Sequence, residues 1–191
     1  KEQQAILSKG SMAVNFKDGN AKNNKFSDEE IFAAQKGLDK YIDKVMLPQL
    51  KQLVTNYEPA LLFSDGDWWM NYKKWRTLPF LSWALNNAAN KDELVFNDRW
   101  GKVRGKHGGY YTTEYGSGFA DGTIPWEENR GIGMSFGINR IENIDDYRTD
   151  KELIFMLVDI ASRGGNLLLN IGPNADGTIP VIMQQRLIEI G

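Results

Sequence analysis

Apolar residues recur at helical spacing in several parts of the chain. Over Leu38–Asn56 they return mostly every three to four residues, which predicts an amphipathic helix with a candidate kink at Pro48. Thr149–Glu152 has the spacing of a capping box and predicts the start of another amphipathic helix, which Arg163–Gly165 ends. Two further helices are predicted, over Arg76–Ala89 and from near Pro180.

Short apolar runs lie between these helices, and each run ends in polar residues. The runs are Ala60–Phe63, Leu94–Asn97, Tyr110–Thr113, a weaker run at Gly133–Ile138, and Asn166–Asn170. Apolar strands separated by helices are typical of a parallel α/β sheet with both faces covered, and a TIM-type (β/α)8-like barrel fits this pattern. A complete barrel needs eight strands and about 250 residues. The predicted strands therefore indicate that only the later strands of a barrel are present.

The whole chain, residues 1–191, is interpreted as one partial catalytic barrel domain. The stretch 1–26 is polar and includes a segment rich in Lys, Asn and Gly, which predicts a mobile surface loop. Ser27–Glu30 has capping-box spacing and predicts a short helix after this loop. A barrel without its first strands would expose sheet edges. We therefore expect these residues to be a fragment of a longer protein.

Composition disfavours several classes of function. With 23 Lys and Arg against 25 Asp and Glu, the formal net charge is −2, which lacks the basic footprint that nucleic acid or an anionic membrane selects. The longest apolar run, Leu153–Val158, is far shorter than the roughly 20 residues that span a bilayer. The chain has no cysteine, and His107 is its one histidine. Disulfide frameworks, zinc centres and Ser-His-Asp catalysis are therefore disfavoured.

Candidate chemistry lies where the predicted strands end, because parallel α/β proteins form their active sites at the carboxyl ends of the strands. Asp65 follows the first predicted strand and Glu114 follows the third. Since side chains alternate along a strand, Asp65 shares a face with Phe63, and Glu114 shares one with Thr112. Both acids can therefore point to the same central mouth. Other strand ends add Trp68, Trp69, Asn97, Asp98, Arg99, Trp100, Tyr115, Phe136 and Asn139.

Two carboxylates with aromatic walls, and without a metal-ligand cluster or a Gly-rich phosphate loop, are typical of glycoside hydrolysis. One acid attacks the sugar and the other donates a proton, while aromatic faces suit the apolar side of a sugar ring. Each residue alone also has a plainer interpretation. Asp65 alone is typical of a turn, and Glu114 alone is typical of a solvated loop acid. Arg99 alone is typical of a surface ion pair, and the Trp cluster is typical of packing.

Several rare strings that contain Trp or Gly occur in a recognisable order. They are Tyr57–Trp68, Phe80–Trp83, Asn97–Gly101, His107–Tyr111, Met134–Gly137, Gly164–Pro173 and Asp176–Gly177. Through these strings the chain, from about Tyr41 to Gly191, resembles the retaining α-L-fucosidases of glycoside hydrolase family 29. The resemblance implies a catalytic (β/α)8-like barrel that removes terminal α-L-fucose from glycans and glycoconjugates with net retention. It implies no cofactor and no metal.

The resemblance also assigns roles to residues. The family's nucleophile is the aspartate of the Ser-Asp-Gly segment, which is Asp65 here, and its carboxylate would form a covalent fucosyl-enzyme intermediate. Arg99 matches a fucose-binding position and would favour the ionised form of Asp65 if it lies close. Phe136 matches an aromatic residue that lines the pocket for the C6 methyl group of fucose, and Phe63 occupies a similar wall position. Both phenylalanines are equally compatible with a core role.

The acid/base residue has two candidates. The Thr-x-Glu-Tyr context of some family members matches Thr112–Tyr115 and favours Glu114. Other members point to the glutamate of a Trp-Glu pair, which is Glu127 here, with Glu128 adjacent. Whichever residue acts, we expect a partly apolar site to raise its pKa, so that it is protonated before the attack.

One departure from the family pattern bears on function. The early strands of the family bring histidines and a tryptophan that hold the fucose hydroxyls, and nothing before residue 41 resembles them. A catalytically inactive, lectin-like module that binds fucose is therefore the alternative function, and a structural α/β domain is a third. The family and the cysteine-free composition favour a secreted or periplasmic bacterial protein.

Overall fold

The computed structural model describes residues 36–102, 109–116, 118–119 and 123–191. The predicted N-terminal loop and the helix predicted at Ser27–Glu30 lie outside these residues. The described chain divides into two compact units. The first holds the described residues up to Pro59 together with Pro79–Asp92, and the second holds Ala60–Leu78 together with the described residues of Glu93–Gly191.

The regular elements are as follows. The α-helices are α1 (Leu47–Tyr57), α2 (Tyr72–Trp75), α3 (Thr77–Asn87), α4 (Asp150–Ser162) and α5 (Val181–Ile190). The strands are β1 (Leu61–Leu62), β2 (Val95–Phe96), β3 (Tyr111–Glu114), β4 (Trp126–Gly131) and β5 (Gly165–Asn170).

The first unit is helical. The helix predicted over Leu38–Asn56 is confirmed, because residues 36–41, a π-helix at Ile42–Met46 and α1 follow one another without a break. Pro48 lies inside this continuous helix, near the start of α1, where its missing N–H removes one backbone hydrogen bond of the helix. The change from π-helix to α-helix therefore falls next to Pro48.

The second unit contains two parallel sheets. Strand β1 pairs with β2 through Leu61 and Leu62, and β3, β4 and β5 form the other sheet in that order. A parallel bridge between Asn97 and Tyr110 connects the end of β2 to the start of β3. The described strands thus lie side by side in chain order and all run parallel, but they do not close into a barrel.

The prediction of a fourth strand at Gly133–Ile138 is wrong. That segment is a loop, and the strand is β4, whose sequence Trp-Glu-Glu-Asn-Arg-Gly has no apolar run. Its polar side chains are nevertheless inside, since Glu128 and Asn129 are both buried. Both have partners on β3: the Thr113 hydroxyl donates to Glu128, and Nδ2 of Asn129 donates to the Thr113 carbonyl at 3.3 Å. A strand whose buried polar groups are paired in this way escapes a search for apolar runs.

Helices α4 and α5 were both predicted, and α4 packs against β5 and α5. Thr149 and Glu152 form the predicted capping box of α4, and Gly164, at a φ of 73°, follows its end. A buried core forms there from Ile132, Leu153 and Met183. Within the described ranges, no helix combines the length and the apolar character that crossing a bilayer requires.

Candidate active site

The end of β2 holds the segment that follows β1. Oδ1 of Asn97, a fully buried residue, accepts a hydrogen bond from the Ser64 N–H at 3.1 Å, and Nδ2 of Asn97 donates to the Ser64 carbonyl at 2.8 Å. The Ser64 hydroxyl donates to the backbone carbonyl of Arg99. The side-chain amide thus replaces the backbone pairing that ends with β1. Asp65, the next residue, is thereby held beside Arg99.

Arg99 joins the two candidate catalytic acids. Its side chain is only 2% exposed, and its Nη1 donates to Oδ1 of Asp65 at 2.9 Å and forms an ion pair with Oε1 of Glu114. Burial lowers the pKa of Arg99, but the hydrogen bonds and negative charges of Asp65 and Glu114 outweigh it and raise that pKa above its ordinary value. The ring of Phe63 lies 5.0 Å from the guanidinium carbon. Arg99 is therefore a fixed positive charge between the two acids.

A chain of hydrogen bonds orients the Arg99 guanidinium. Its Nε donates to the hydroxyl of Thr112 at 2.8 Å, and this hydroxyl donates to Oδ1 of Asp98 at 2.7 Å. The backbone N–H of Thr112 donates to the same Asp98 oxygen at 3.1 Å. All three residues are buried. These hydrogen bonds hold the guanidinium plane in one orientation.

The two acids are accessible, whereas the arginine between them is not. The side chain of Asp65 is 57% exposed and that of Glu114 is 38% exposed. A ligand can therefore reach both carboxylates from the side that faces away from Arg99. Nη2 of Arg99 is buried and has no hydrogen-bond partner among the described residues.

Glu127 lies deeper on the same sheet. In the register of the strands it stands opposite Thr112 of β3 and Asn166 of β5. Its Oε1 is buried and has no hydrogen-bond partner in the described part of the chain. Burial raises the pKa of the Glu127 carboxyl, against a hydrogen bond with Asn129 and the charge of Arg99, which lower it. Glu127 therefore has the raised pKa that the sequence led us to expect of an acid/base residue.

Tyr110 belongs to the same buried group. Burial raises the pKa of the Tyr110 hydroxyl well above its ordinary value, and the negative charges of Glu127 and Asp98 raise it further. The Tyr110 hydroxyl therefore stays protonated at neutral pH.

The loop that carries Phe136 is fixed by the end of β5. The Phe136 side chain is partly exposed, and its ring packs edge-on against Tyr115 with the centroids 5.2 Å apart. The N–H of Gly137 donates to Oδ1 of Asn170 at 3.0 Å. A Cβ atom at Gly172 would lie 2.2 Å from the carbonyl carbon of Gly137, so glycine is required there for the loop to pack against the chain after β5.

The predicted site residues fall into two groups. Asp65, Glu114, Arg99 and Phe63 are in mutual contact through Arg99. Glu127 is a neighbour of Thr112, and Phe136 is linked to Glu114 through the adjacent Tyr115. His107 lies outside the described residues. The sequence placed Asn97 and Asp98 among the polar residues at the strand ends but assigned them no role. The contact of Thr112 with Arg99 depends on strand register, which the sequence does not give.

No group of three or more His, Cys, Asp and Glu side chains in the described ranges is arranged to hold a metal ion. The site described above consists of two carboxylates in contact with one buried arginine.

Comparison with known proteins shows one consistent family. The family model described as alpha-L-fucosidase matches residues 6–191. The α-L-fucosidase of Dictyostelium discoideum is 43% identical over 153 residues, which cover 79% of this chain and 33% of that protein.

Solved structures agree with the sequence relatives. The crystal structure of the Thermotoga maritima α-fucosidase in complex with a mechanism-based inhibitor is 34% identical with a TM-score of 0.58, over 86% of this chain and 33% of that one. The α-L-fucosidase isoenzyme 1 from Paenibacillus thiaminolyticus is 27% identical with a TM-score of 0.66, over 80% of this chain and 38% of that one. The chain spans about a third of the length of the curated relatives it matches.

Proposed function

The chain belongs to the α-L-fucosidase family, and on this premise we propose that it carries the catalytic centre of a retaining exo-α-L-fucosidase. The observation that carries the proposal is the contact of one Arg99 nitrogen with both Asp65 and Glu114. The substrates would be glycans or glycoconjugates with a terminal α-L-fucose. The proposal extends to the scaffold: the parallel strands β1 to β5 would be successive strands of a TIM-type (β/α)8-like barrel.

In this mechanism Asp65 is the nucleophile. Its carboxylate oxygen forms a bond to the anomeric carbon of fucose while the bond from that carbon to the glycosidic oxygen breaks. The buried positive charge of Arg99 lies 2.9 Å from the Asp65 carboxylate and holds that carboxylate in position. The exposure of Asp65 supports this role, since the sugar must reach the carboxylate.

Glu114 is the proposed acid/base residue. It gives its proton to the departing oxygen in the first step. In the second step it takes a proton from water, whose oxygen bonds to the anomeric carbon while the ester bond to Asp65 breaks. Each of the two steps inverts the configuration of the anomeric carbon, so the product keeps the α-configuration.

The distance between the two acids supports retention. Two oxygens that contact the same nitrogen are at most about 6 Å apart, the sum of two hydrogen-bond lengths. Carboxyl groups in retaining glycosidases are about 5 to 5.5 Å apart, and in inverting enzymes about 6.5 to 9.5 Å. The shared contact of Asp65 and Glu114 with Arg99 therefore favours the retaining geometry.

Glu127 remains the second candidate for the acid/base residue. The observation in its favour is that burial raises its pKa, as a general acid requires. Glu114 is favoured over it because Glu114 shares Arg99 with the nucleophile and is exposed, whereas Glu127 lies deeper, opposite Thr112.

The first experiment follows hydrolysis of 4-nitrophenyl α-L-fucoside by the protein that carries this chain, with the first-formed anomer read by NMR. We expect α-L-fucose as the first product, and loss of at least about 1,000-fold in kcat for Asp65→Gly. Release of β-L-fucose first would exclude the retaining mechanism.

Azide separates the roles of the acids. In Asp65→Gly, azide should take the place of the carboxylate and give β-fucosyl azide. In the acid/base variant, azide should attack the covalent intermediate and give α-fucosyl azide. We expect α-fucosyl azide from Glu114→Ala and none from Glu127→Ala; the reverse would assign the role to Glu127.

The lectin-like alternative has its own signature. A protein that binds fucose, hydrolyses no fucoside and keeps its fucose affinity in Asp65→Ala would be a binding module. That combination would replace the proposed function.

A further inference from the structure

We propose that the buried ion pair of Glu128 and Arg130, on the face of β4 opposite to Glu127, positions the carboxylate of Glu114 for proton transfer. The proposal rests on the proposed function, in which Glu114 is the acid/base residue. It assigns Glu128 and Arg130 a positioning role, since neither contacts the carboxylates of Asp65 or Glu114 in the described contacts.

The ion pair holds the chain on both sides of Glu114. On one side, the hydroxyl of Thr113 donates to Oε2 of Glu128. On the other side, the N–H of Gly116 donates to Oε1 of Glu128 at 3.1 Å, and Nη2 of Arg130 donates to the Gly116 carbonyl at 2.5 Å. The pair itself is closed by Nε of Arg130, 2.6 Å from Oε1 of Glu128. Glu114 and Tyr115 therefore lie between two anchored residues.

The turn needs such anchors because it leaves the strand in an unfavourable conformation. Glu114 is the last residue of β3, and Tyr115 has a φ of 49°, in the left-handed region that residues other than glycine seldom adopt. Such a backbone persists only where surrounding contacts impose it. Here the Tyr115 hydroxyl accepts a hydrogen bond from the Gly131 N–H at 3.0 Å, and the Arg130 guanidinium lies over the Tyr115 ring at 5.4 Å.

The burial of Glu128 gives the contacts their strength. Its side chain is 2% exposed and that of Arg130 is 16% exposed, so water competes little for their hydrogen bonds. Removal of one partner of a buried pair leaves the other uncompensated. Loss of the Glu128 charge should therefore release Thr113 and Gly116 together, and with them Glu114 and Tyr115, which lie between them.

The adjoining cavity supplies a matched control. The residues that line a cavity of about 490 Å³ include Glu128 and Arg130 together with Asp159 and Arg163. Asp159 pairs with Arg163 at 2.6 Å, the same distance as in the pair of Glu128 and Arg130. In the described contacts this pair does not bond to Thr113 or Gly116.

The experiment compares two fucosides in Glu128→Gln. Departure of a poor leaving group such as methanol from methyl α-L-fucoside needs a proton from Glu114, whereas 2,4-dinitrophenolate leaves with little help. General-acid assistance contributes about 100- to 10,000-fold. We expect kcat/KM for the methyl fucoside to fall at least about 10-fold more than kcat/KM for the dinitrophenyl fucoside.

Two further variants complete the test. Asp159→Asn should leave the ratio of the two kcat/KM values unchanged. Arg130→Lys keeps the positive charge but cannot bond to Glu128 and Gly116 in the same planar geometry, and it should shift the ratio in the same direction as Glu128→Gln. It provides the measurement if Glu128→Gln does not fold.

The outcomes are distinct. An unchanged ratio, or an equal loss on both fucosides with a lower Tm, would show that the ion pair is merely structural and overturn the inference. A wild-type protein that hydrolyses neither fucoside would overturn the proposed function, and the inference would fall with it.

Discussion

Nε of Arg99 donates a 2.8 Å hydrogen bond to the hydroxyl of Thr112, and this contact orients the arginine that joins the two candidate catalytic acids. The hydroxyl in turn donates to Asp98. Thr112 therefore holds Arg99 in position, although it contacts neither acid in the described contacts.

Replacement of the Thr112 hydroxyl tests whether it positions Arg99. In Thr112→Val the shape is kept, but a buried Arg99 nitrogen and a buried Asp98 oxygen each lose a partner, which should lower the free energy of unfolding by about 1–3 kcal/mol. Activity should fall more than stability alone explains, because the guanidinium is freed. Thr112→Ser keeps the hydroxyl and should retain most of both. Equal kcat/KM in Thr112→Val and wild type would contradict the role.

Because the pKa of Glu127 is raised, we expect the free energy of unfolding to depend on pH through this residue. Between the ordinary pKa of a glutamate, about 4.3, and the raised value, the folded protein holds more protons than the unfolded chain, so its stability falls as the pH rises. Glu127→Gln removes this loss. The free energy of unfolding of the variant relative to wild type should therefore increase as the pH rises through this window in urea titrations.

Glu152 gives the control of opposite sign. Backbone and side-chain hydrogen bonds from Thr149 lower the pKa of Glu152, so its contribution to stability is present above the ordinary pKa and is lost as the pH falls. Glu152→Gln should therefore lose stability relative to wild type at neutral pH and lose less at low pH. The same trend in both variants would contradict the assignment for Glu127.

A substitution of Phe136 tests whether its ring recognises the C6 methyl group of fucose. If the ring contacts the C6 methyl of fucose, Phe136→Ala should reduce the preference for the α-L-fucoside over the α-L-galactoside, which carries a hydroxyl group on C6. One apolar contact of this size is worth about 1–3 kcal/mol, or roughly 10- to 200-fold in relative kcat/KM. A preference that stays unchanged while both rates fall would mark Phe136 as a packing residue.

A substitution at Gly172 tests whether close packing at this position holds the loop that carries Phe136. In Gly172→Ala the added Cβ would lie 2.2 Å from the backbone of Gly137 and Ile138, so the loop that carries Phe136 must move. We expect a higher KM for the fucoside and a lower Tm. Gly37→Ala is the matched control, because nothing lies within 4 Å of a Cβ there, and it should be neutral or slightly stabilising. An unchanged KM in Gly172→Ala would contradict the packing argument.

Local patterns were sufficient for much of the fold. The capping box of α4 and the apolar runs of β1, β2, β3 and β5 were readable because neighbouring residues supply the caps and the apolar burial. Strand β4 was missed because its buried glutamate and asparagine find their partners on β3, which sequence spacing does not reveal.

Part of the candidate site could also be predicted from the sequence, and part could not. Side-chain alternation after the strands was enough to predict that Asp65 and Glu114 face one mouth, and the Asn-Asp-Arg-Trp string marked Arg99. That one nitrogen of Arg99 contacts both acids is a result of tertiary structure.

Glu127 and Glu128 show where sequence and tertiary structure separate. The sequence by itself determined that a parallel α/β protein carries two carboxylates, an arginine and aromatic residues at its strand ends, because local periodicity and strand alternation are properties of the chain. Two adjacent glutamates are equivalent at that level. Only the register of β4 against β3 decided that Glu127 stands opposite Thr112 on the side of Arg99, while Glu128 joins Thr113 and Arg130 on the other face. A shift of one residue would exchange them, because the side-chain period of a strand is two.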